Sequence, residues 1–313
     1  MSVPYLIVPL IEDHVPACCS LEALAFNRLR QAWGQAAQPE RRKDCLAHYI
    51  RLFPEGAVGA LADGRIVGFC ISHAWGTLGW IGPIAVEPEW QGRGIGRELT
   101  RLVLQALEAR RPLTIALETW PHYPVNLQFY LTAGFSSGPL VLVLEKQIHA
   151  ETTPFTGLRL SDLPDLSDNL RRLALLAGQI HVGLDYTAPI RTTLECGLGE
   201  ALLWGEALQP DALALVHMAS QHQAPPSEWA DVQLLAARPG TEASLEEWLR
   251  QLEGVAFRSG RTRLRLSVSG FHRETLQKLV RDQDYRVVKL RLRMYSRELA
   301  VEPEAVNFIS YGI

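Results

Sequence analysis

Along the chain the rhythm of apolar positions switches repeatedly between a strand-like and a helix-like period. Tyr5 to Leu10 (YLIVPL) is a short apolar run suited to a strand, and Leu21, Leu24, Ala25, Leu29 and Ala32 then recur at helical spacing. A second helical stretch, Lys43 to Phe53, stops at Pro54. The run AVGALADGRIVGFCISHAW that follows predicts two strands joined at Asp63-Gly64, a pair that tolerates the positive φ of a tight primed turn. Trp80 to Val86 reads as a buried strand, and after a glycine-rich loop Leu99, Leu102, Val103, Leu104 and Leu107 mark a long helix. Leu113 to Thr119 predicts another strand, Val125 to Ala133 a helix ending at Gly134, and Leu140 to Glu145 a last strand. The order is β-α-α-β-β-β-α-β-α-β.

The polar stretch from Gln147 to Gly157 separates this pattern from a second, self-contained one. Over residues 158 to 296 the same order recurs. Strands fall near Ala201 to Gly205 and Ala212 to Ala219, then at VQLLAA, LRLSV and YRVVKLRLRMYS, with helices over Ser244 to Val255 and Thr275 to Val280. Two copies point to duplication rather than to a solenoid. The expected organisation is an α/β protein with mixed sheets: one domain over residues 1–148, a linker over 149–157, and a second domain over 158–313. The segment from Arg297 to Ile313 receives no assignment.

A chain of 313 residues suits two domains. Lys plus Arg number 31 against 34 for Asp plus Glu, a formal charge of -3, which offers no electrostatic footprint for nucleic acid. Cys18, Cys19, Cys45, Cys70 and Cys196 are an odd set without a CxxC pair, so neither a disulfide framework nor a metal site is expected. The start MSVPYLIVPLIEDH lacks the basic and long apolar regions of a signal peptide. No apolar run nears the roughly 18 residues that span a bilayer. A cytoplasmic protein without a membrane partner is the expectation.

The chemistry concentrates in WIGPIAVEPEWQGRGIGREL, residues 80 to 99. Gly92, Gly94 and Gly96 alternate immediately before a helix, so backbone N–H groups and the positive end of the helix can converge on a phosphate or pyrophosphate, with Arg93 and Arg97 adding charge. A Walker A loop would need Gly-Lys followed by Ser or Thr, and Gly96 is followed by Arg97-Glu98. A dinucleotide loop would need a glycine three residues after Gly94, where Arg97 stands. A plain turn would not require three alternating glycines, which cost chain entropy.

Gln91-Gly92-Arg93-Gly94-Ile95-Gly96 resembles the Q/R-x-x-G-x-G/A loop of the GNAT superfamily of acyl-CoA N-acyltransferases. The preceding strand end Ile84-Ala85-Val86, the turn Glu87-Pro88-Glu89 and the later Phe129-Tyr130-x-x-x-Gly134-Phe135 are similar to that family in type and order. The resemblance implies two tandem GNAT-like domains with acetyl-CoA as cosubstrate. Its pyrophosphate would be held by Gln91, Gly92, Arg93, Gly94, Ile95, Gly96 and Arg97, and its pantetheine arm paired with Ile84, Ala85 and Val86. Asn126, Phe129 and Tyr130 would complete that site. The implied reaction is direct acetyl transfer to a primary amine of a small molecule or peptide in a ternary complex, with Tyr130 protonating the departing thiolate and a backbone N–H near Ile84 or Ala85 holding the oxyanion.

For a base, the strand position where some GNAT enzymes carry glutamate holds Trp80, which leaves Glu118, His73 or His122 acting through water. Each of these, like Tyr130 itself, has an ordinary packing role as its alternative. Asn126 stands where it could instead cap a helix, and the family's asparagine position holds Tyr123. Trp33, Trp75, Trp120, His122 and Tyr123 would wall the acceptor pocket, or in part pack as plain core. In the second half the loop Arg238 to Glu242 has one glycine, Val280 replaces the tyrosine and Asp284-Tyr285 replaces Gly-Phe. That half reads as a degenerate GNAT-like domain lacking the CoA loop. A non-catalytic acyl-CoA-binding module and an acyltransferase for longer chains are the competing functions, and a homodimer is left open.

Overall fold

The computed structural model describes residues 4–149, 153–206, 209–224, 228–241 and 244–296, and the backbone of 307–309. The first half runs β1 (Leu6–Pro9), α1 (Val15–Ala32), α2 (Lys43–Leu52), β2 (Ala57–Ala62), β3 (Arg65–Trp75), β4 (Leu78–Val86), α3 (Ile95–Glu108), β5 (Thr114–Thr119), α4 (Pro124–Thr132) and β6 (Ser136–Gln147). The second runs β7 (Leu158–Arg159), α5 (Leu166–Ile180), α6 (Thr187–Glu195), β8 (Gly199–Glu206), β9 (Gln209–His217), β10 (Trp229–Ala237), α7 (Leu245–Arg258), β11 (Arg263–Ser269), α8 (Arg273–Asp282), β12 (Arg286–Tyr295) and β13 (Asn307–Ile309). Part of the expected linker, residues 150–152, and most of the segment after Tyr295 lie outside the described residues. None of the described helices is long and apolar enough to cross a membrane.

The hairpin forms where Asp63-Gly64 predicts it, with φ of 49° and 74° at those two residues. Helix α3 buries the stripe Ile95, Leu99, Val103 and Leu107, whose spacing puts all four on one side.

All strands join one sheet in the order β1-β2-β3-β4-β5-β12-β6-β11-β10-β9-β8-β7, with β13 added against β10. The two halves therefore exchange their last strands. β12 lies antiparallel to β5 with Arg293 opposite Glu118, while β6 lies antiparallel to β11 with Glu145 opposite Arg265. β6 and β12 also pair with each other at the centre. Helices α1 and α2 pack on the face that carries Phe69, Ile71 and Ala85, and α5 and α6 take the same face further along, against Trp75, Trp80 and Ala116. The opposite face is covered by α3 and α4 over Leu117 and Met294, and by α7 and α8 over Leu144 and Leu266.

Strands β4 and β5 run parallel only over Leu78–Trp80, opposite Thr114–Ala116, and then part. From Ile81 onward β4 keeps β3 on one edge, and among the described residues its other edge has no strand partner. The second half repeats the geometry with one difference. β10 pairs with β11 from Trp229 to Val232, and beyond that point its edge at Leu234–Ala236 is taken by β13.

Candidate active site

The parting of β4 and β5 opens a cleft of ≈ 340 Å³ that runs from Ile81 and Thr119 out to the glycine loop. Its walls are the edge of β4, the start of α3, helix α4 with its preceding turn, and Phe26 and Leu29 of α1. The loop owes its shape to its glycines. Gly92 and Gly94 sit at φ of 77° and 86°, and a Cβ added to either would meet nothing within 4 Å, because both face open space. The first helical bond of α3 runs from the Glu98 N–H to the Gly94 carbonyl, so the N–H groups of Ile95, Gly96 and Arg97 precede it and are left for a ligand. The Gln91 side chain donates to the Val86 carbonyl at 3.0 Å and ties the loop to the strand end. Gly96 faces the Phe129 ring of α4, where a Cβ would stand 3.4 Å away in ordinary van der Waals contact.

These features fit an acyl-CoA: an unpaired strand edge for an amide-bearing arm, and a backbone cradle at a helix N-terminus for a pyrophosphate. The structure brings together Ile84, Ala85, Val86, Gln91, Gly92, Gly94, Ile95, Gly96, Arg97, Asn126, Phe129 and Tyr130 around the cleft. Arg93 is not among the lining residues. Its guanidinium folds back over the Trp90 ring, 4.6 Å from the centroid, and donates to the Glu89 carbonyl. Asn126 lies inside α4, which begins at Pro124, and its side chain makes no cap.

Tyr130 is buried on the cleft wall, edge-on to Phe129 and Phe135 with ring centroids 5.0 and 5.9 Å away. Burial, with a smaller push from the Cys70 thiol, raises its phenol, so the hydroxyl keeps its proton at neutral pH. Glu118, expected as a base, does not reach the cleft. Its side chain is fully buried on the other side of β5, and its oxygens are held by Arg293 at 2.8 Å and Arg291 at 3.2 Å, both from β12. A carboxylate held this way by two guanidiniums is kept as their counter-ion and is not placed to take a proton from an amine in the cleft. Strand exchange, invisible in the spacing of the first half, supplies those arginines.

His73 is buried outside the cleft, with Nε2 2.9 Å from the Gly82 carbonyl, and burial pushes its imidazole down to about 4. The neutral ring donates to Gly82 and braces the point where β4 leaves β5. Trp75 is likewise a core residue, fully buried and stacked against Trp80 beneath α5 and α6. Trp33, Trp120 and His122 do meet at the cleft mouth. The Trp120 and His122 rings stack at 6.3 Å, and Trp33 stands edge-on to His122 at 4.5 Å. Trp120 lines the cleft, and Phe26, absent from the sequence-based set, stands edge-on to it at 6.3 Å. Phe26 follows Ala25 on the apolar stripe of α1, so its helical spacing alone marks it as core.

Far from the cleft, α2 and the end of α6 bring Asp44, Cys45 and Cys196 within 4.8 Å of one another, a grouping that cysteine spacing does not announce. The five cysteines are free thiols.

Residues 20–135 match the model of the acetyltransferase (GNAT) family. Mycothiol acetyltransferase from Tsukamurella paurometabola is 32% identical over 120 residues, 36% of this chain and 41% of that protein. N-alpha-acetyltransferase 30 from Schizosaccharomyces pombe is 31% identical over 93 residues, 28% of this chain and 62% of that protein. The chain spans less than two thirds of the length of these relatives. Its fold extends over nearly the whole of a candidate acetyltransferase from Pyrococcus horikoshii, with a TM-score of 0.69 at 16% identity, covering 99% of this chain and 96% of that one. A tandem GNAT protein from the clavulanic acid biosynthesis pathway gives a TM-score of 0.59 at 14% identity, covering 93% and 98%. The sequence of the first half thus matches the GNAT family over residues 20–135, and the fold of the chain is shared end to end with a tandem GNAT protein.

Proposed function

We propose that the protein is an N-acetyltransferase that takes its acyl group from acetyl-CoA and passes it to a primary amine inside the β4–β5 cleft. The observation that carries this reading is the parting of the two strands, which gives an unpaired β4 edge leading straight to the cradle at α3. Bound acetyl-CoA supplies a thioester carbonyl open to attack by an amine. The N–H groups of Ile95, Gly96 and Arg97 bind the pyrophosphate, and the backbone of Ile84 to Val86 orients the arm along β4. A backbone N–H at Ile84 or Ala85 faces the developing oxyanion; as the C–N bond forms and the C–S bond breaks, the Tyr130 hydroxyl delivers its proton to the departing sulfur and recovers one, through water, from the attacking nitrogen. Relatives named as mycothiol and N-alpha-acetyltransferases support an amine acceptor, either small molecule or peptide.

One observation favours a second reading, a non-catalytic acyl-CoA-binding module: no carboxylate or imidazole is among the described residues lining the cleft. Calorimetric titration with acetyl-CoA, followed by an amine screen, separates the two. The expected result is one acetyl-CoA per chain, binding lost in Gly94→Glu, and transfer to at least one amine. Binding without transfer to any amine would favour the module, and absence of binding would remove both readings.

A further inference from the structure

β12, contributed by the second half, carries three cations on the sheet face that bears α1: Lys289, Arg291 and Arg293. Around them the charges do not balance. Glu118 is shared by Arg291 and Arg293, and Glu145 is shared by Arg263 and Arg265 at 2.8 and 3.0 Å. Arg265 also has Asp231 at 3.7 Å, and Arg263 has the exposed Glu228 at 3.6 Å. Lys289 sits between these two groups, opposite Val143 of β6, and among the described residues no carboxylate lies within ion-pair distance of it. It is half-buried, with its ammonium 5.8 Å from the centre of the Trp120 ring, the ring that lines the cleft.

The charged groups that act most strongly on Lys289 are Arg291 on its own strand, Arg30 from α1 and Arg265 from β11, with Glu118 from β5 opposing them. Desolvation and these three guanidiniums push the ammonium down to about 7. A lysine pressed by like charges at the edge of a substrate cleft is the arrangement an anion relieves.

On the reading that the cleft transfers acetyl groups, we propose that the acceptor is an amine that also carries an anionic group, a carboxylate or a phosphate, bound at the Trp120 wall by Lys289. The amine enters beside Trp120 and Phe26, and the anion lies across the indole on the β12 side. The second half thus supplies the selectivity of a reaction whose acyl-binding parts all lie in the first.

Matched acceptors test this: alanine against ethylamine, and phosphoethanolamine against ethanolamine, the two pairs distinguishing carboxylate from phosphate. The expected result is a kcat/KM at least tenfold higher for the anionic member of one pair, a ratio that falls toward one in Lys289→Gln and is kept in Lys289→Arg. Equal or inverted preference in the unaltered protein, or a ratio untouched by Lys289→Gln, would overturn the proposal.

A second readout needs no turnover. The chain has four lysines, Lys43, Lys146, Lys278 and Lys289, so reductive methylation with 13C-formaldehyde yields a spectrum simple enough to titrate each one. The Lys289 resonance should titrate near 7 and move upward by about a unit when N-acetylalanine or phosphoethanolamine is added, but not with N-ethylacetamide. No upward movement with either anionic compound would overturn the proposal. An upward movement in a protein that acetylates nothing would overturn the transfer reading and leave the anion site standing.

Discussion

Tyr130 and Glu118 both end in a proton-bearing group, yet their surroundings assign them different work. The Tyr130 hydroxyl lines the cleft among apolar rings and stays protonated, so its use is to donate. Tyr130→Phe keeps the packing and removes the proton. Turnover should fall by about 10²-fold or more, in the range of a lost general acid, while acetyl-CoA affinity by calorimetry stays within about twofold; unchanged turnover would strip Tyr130 of the role. Glu118 is fully buried between Arg291 and Arg293, where its charge is compensated only as a set. Glu118→Gln should therefore lower unfolding free energy by about 3–5 kcal/mol, the cost of breaking a buried pair, as read from urea denaturation. A variant with native stability and collapsed turnover would restore Glu118 as a base. Nothing in LTIALET distinguishes the two outcomes, because both arginines lie in the other half of the sequence.

At the level of elements, what was legible follows from what is local. The Asp63-Gly64 hairpin, the stripe of α3 and the glycine loop each depend on residues close in the chain, and all three form where the sequence places them. The partner of a strand is a different kind of fact. LVLVLE and VVKLRLRMY alternate alike, so either can lie beside β5, and periodicity contains no signal for the exchange that puts β12 there. The same limit hid β13, whose pairing at Leu234–Ala236 takes the β10 edge equivalent to the open edge of β4. Exchange has a measurable consequence. A fragment ending at residue 149 would carry β6 without β11 or β12 and leave β5 with a bare edge, so it should not show a cooperative thermal transition. Co-expressed with a fragment starting at residue 153, it should recover as a 1:1 complex that survives gel filtration. Independent, cooperative folding of the first fragment would mean that β6 can replace β12 beside β5.

For the molecule as a whole, the two halves meet along a second seam as well, and one buried imidazole, His222, sits in it. Arg41, between α1 and α2, is paired with Glu22 at 2.7 Å and bonds Gln221 of the second half; Tyr49 reaches the same Gln221, and His222 contacts Gln38. Burial pushes His222 down to about 4, with Arg41 adding to the effect, and it pushes His73 to about 4 and His217 to about 3. In the unfolded chain each titrates near 6.5. The folded state thus binds fewer protons than the unfolded one between those values, so the stability held above pH 6.5 is lost as pH falls toward 4, at about 1.4 kcal/mol per pH unit for each histidine. The urea midpoint should drop steeply between pH 7 and pH 5, and His222→Gln, which keeps a polar side chain at the seam without a titrating ring, should flatten that drop. A midpoint constant over this range would show that the three rings accept protons in place. Because Lys289 reaches the Trp120 wall of the cleft from the second half, acid that loosens the seam should also erase any preference for anionic acceptors before the chain unfolds, and a pH series of acceptor ratios alongside the urea midpoints would detect that order.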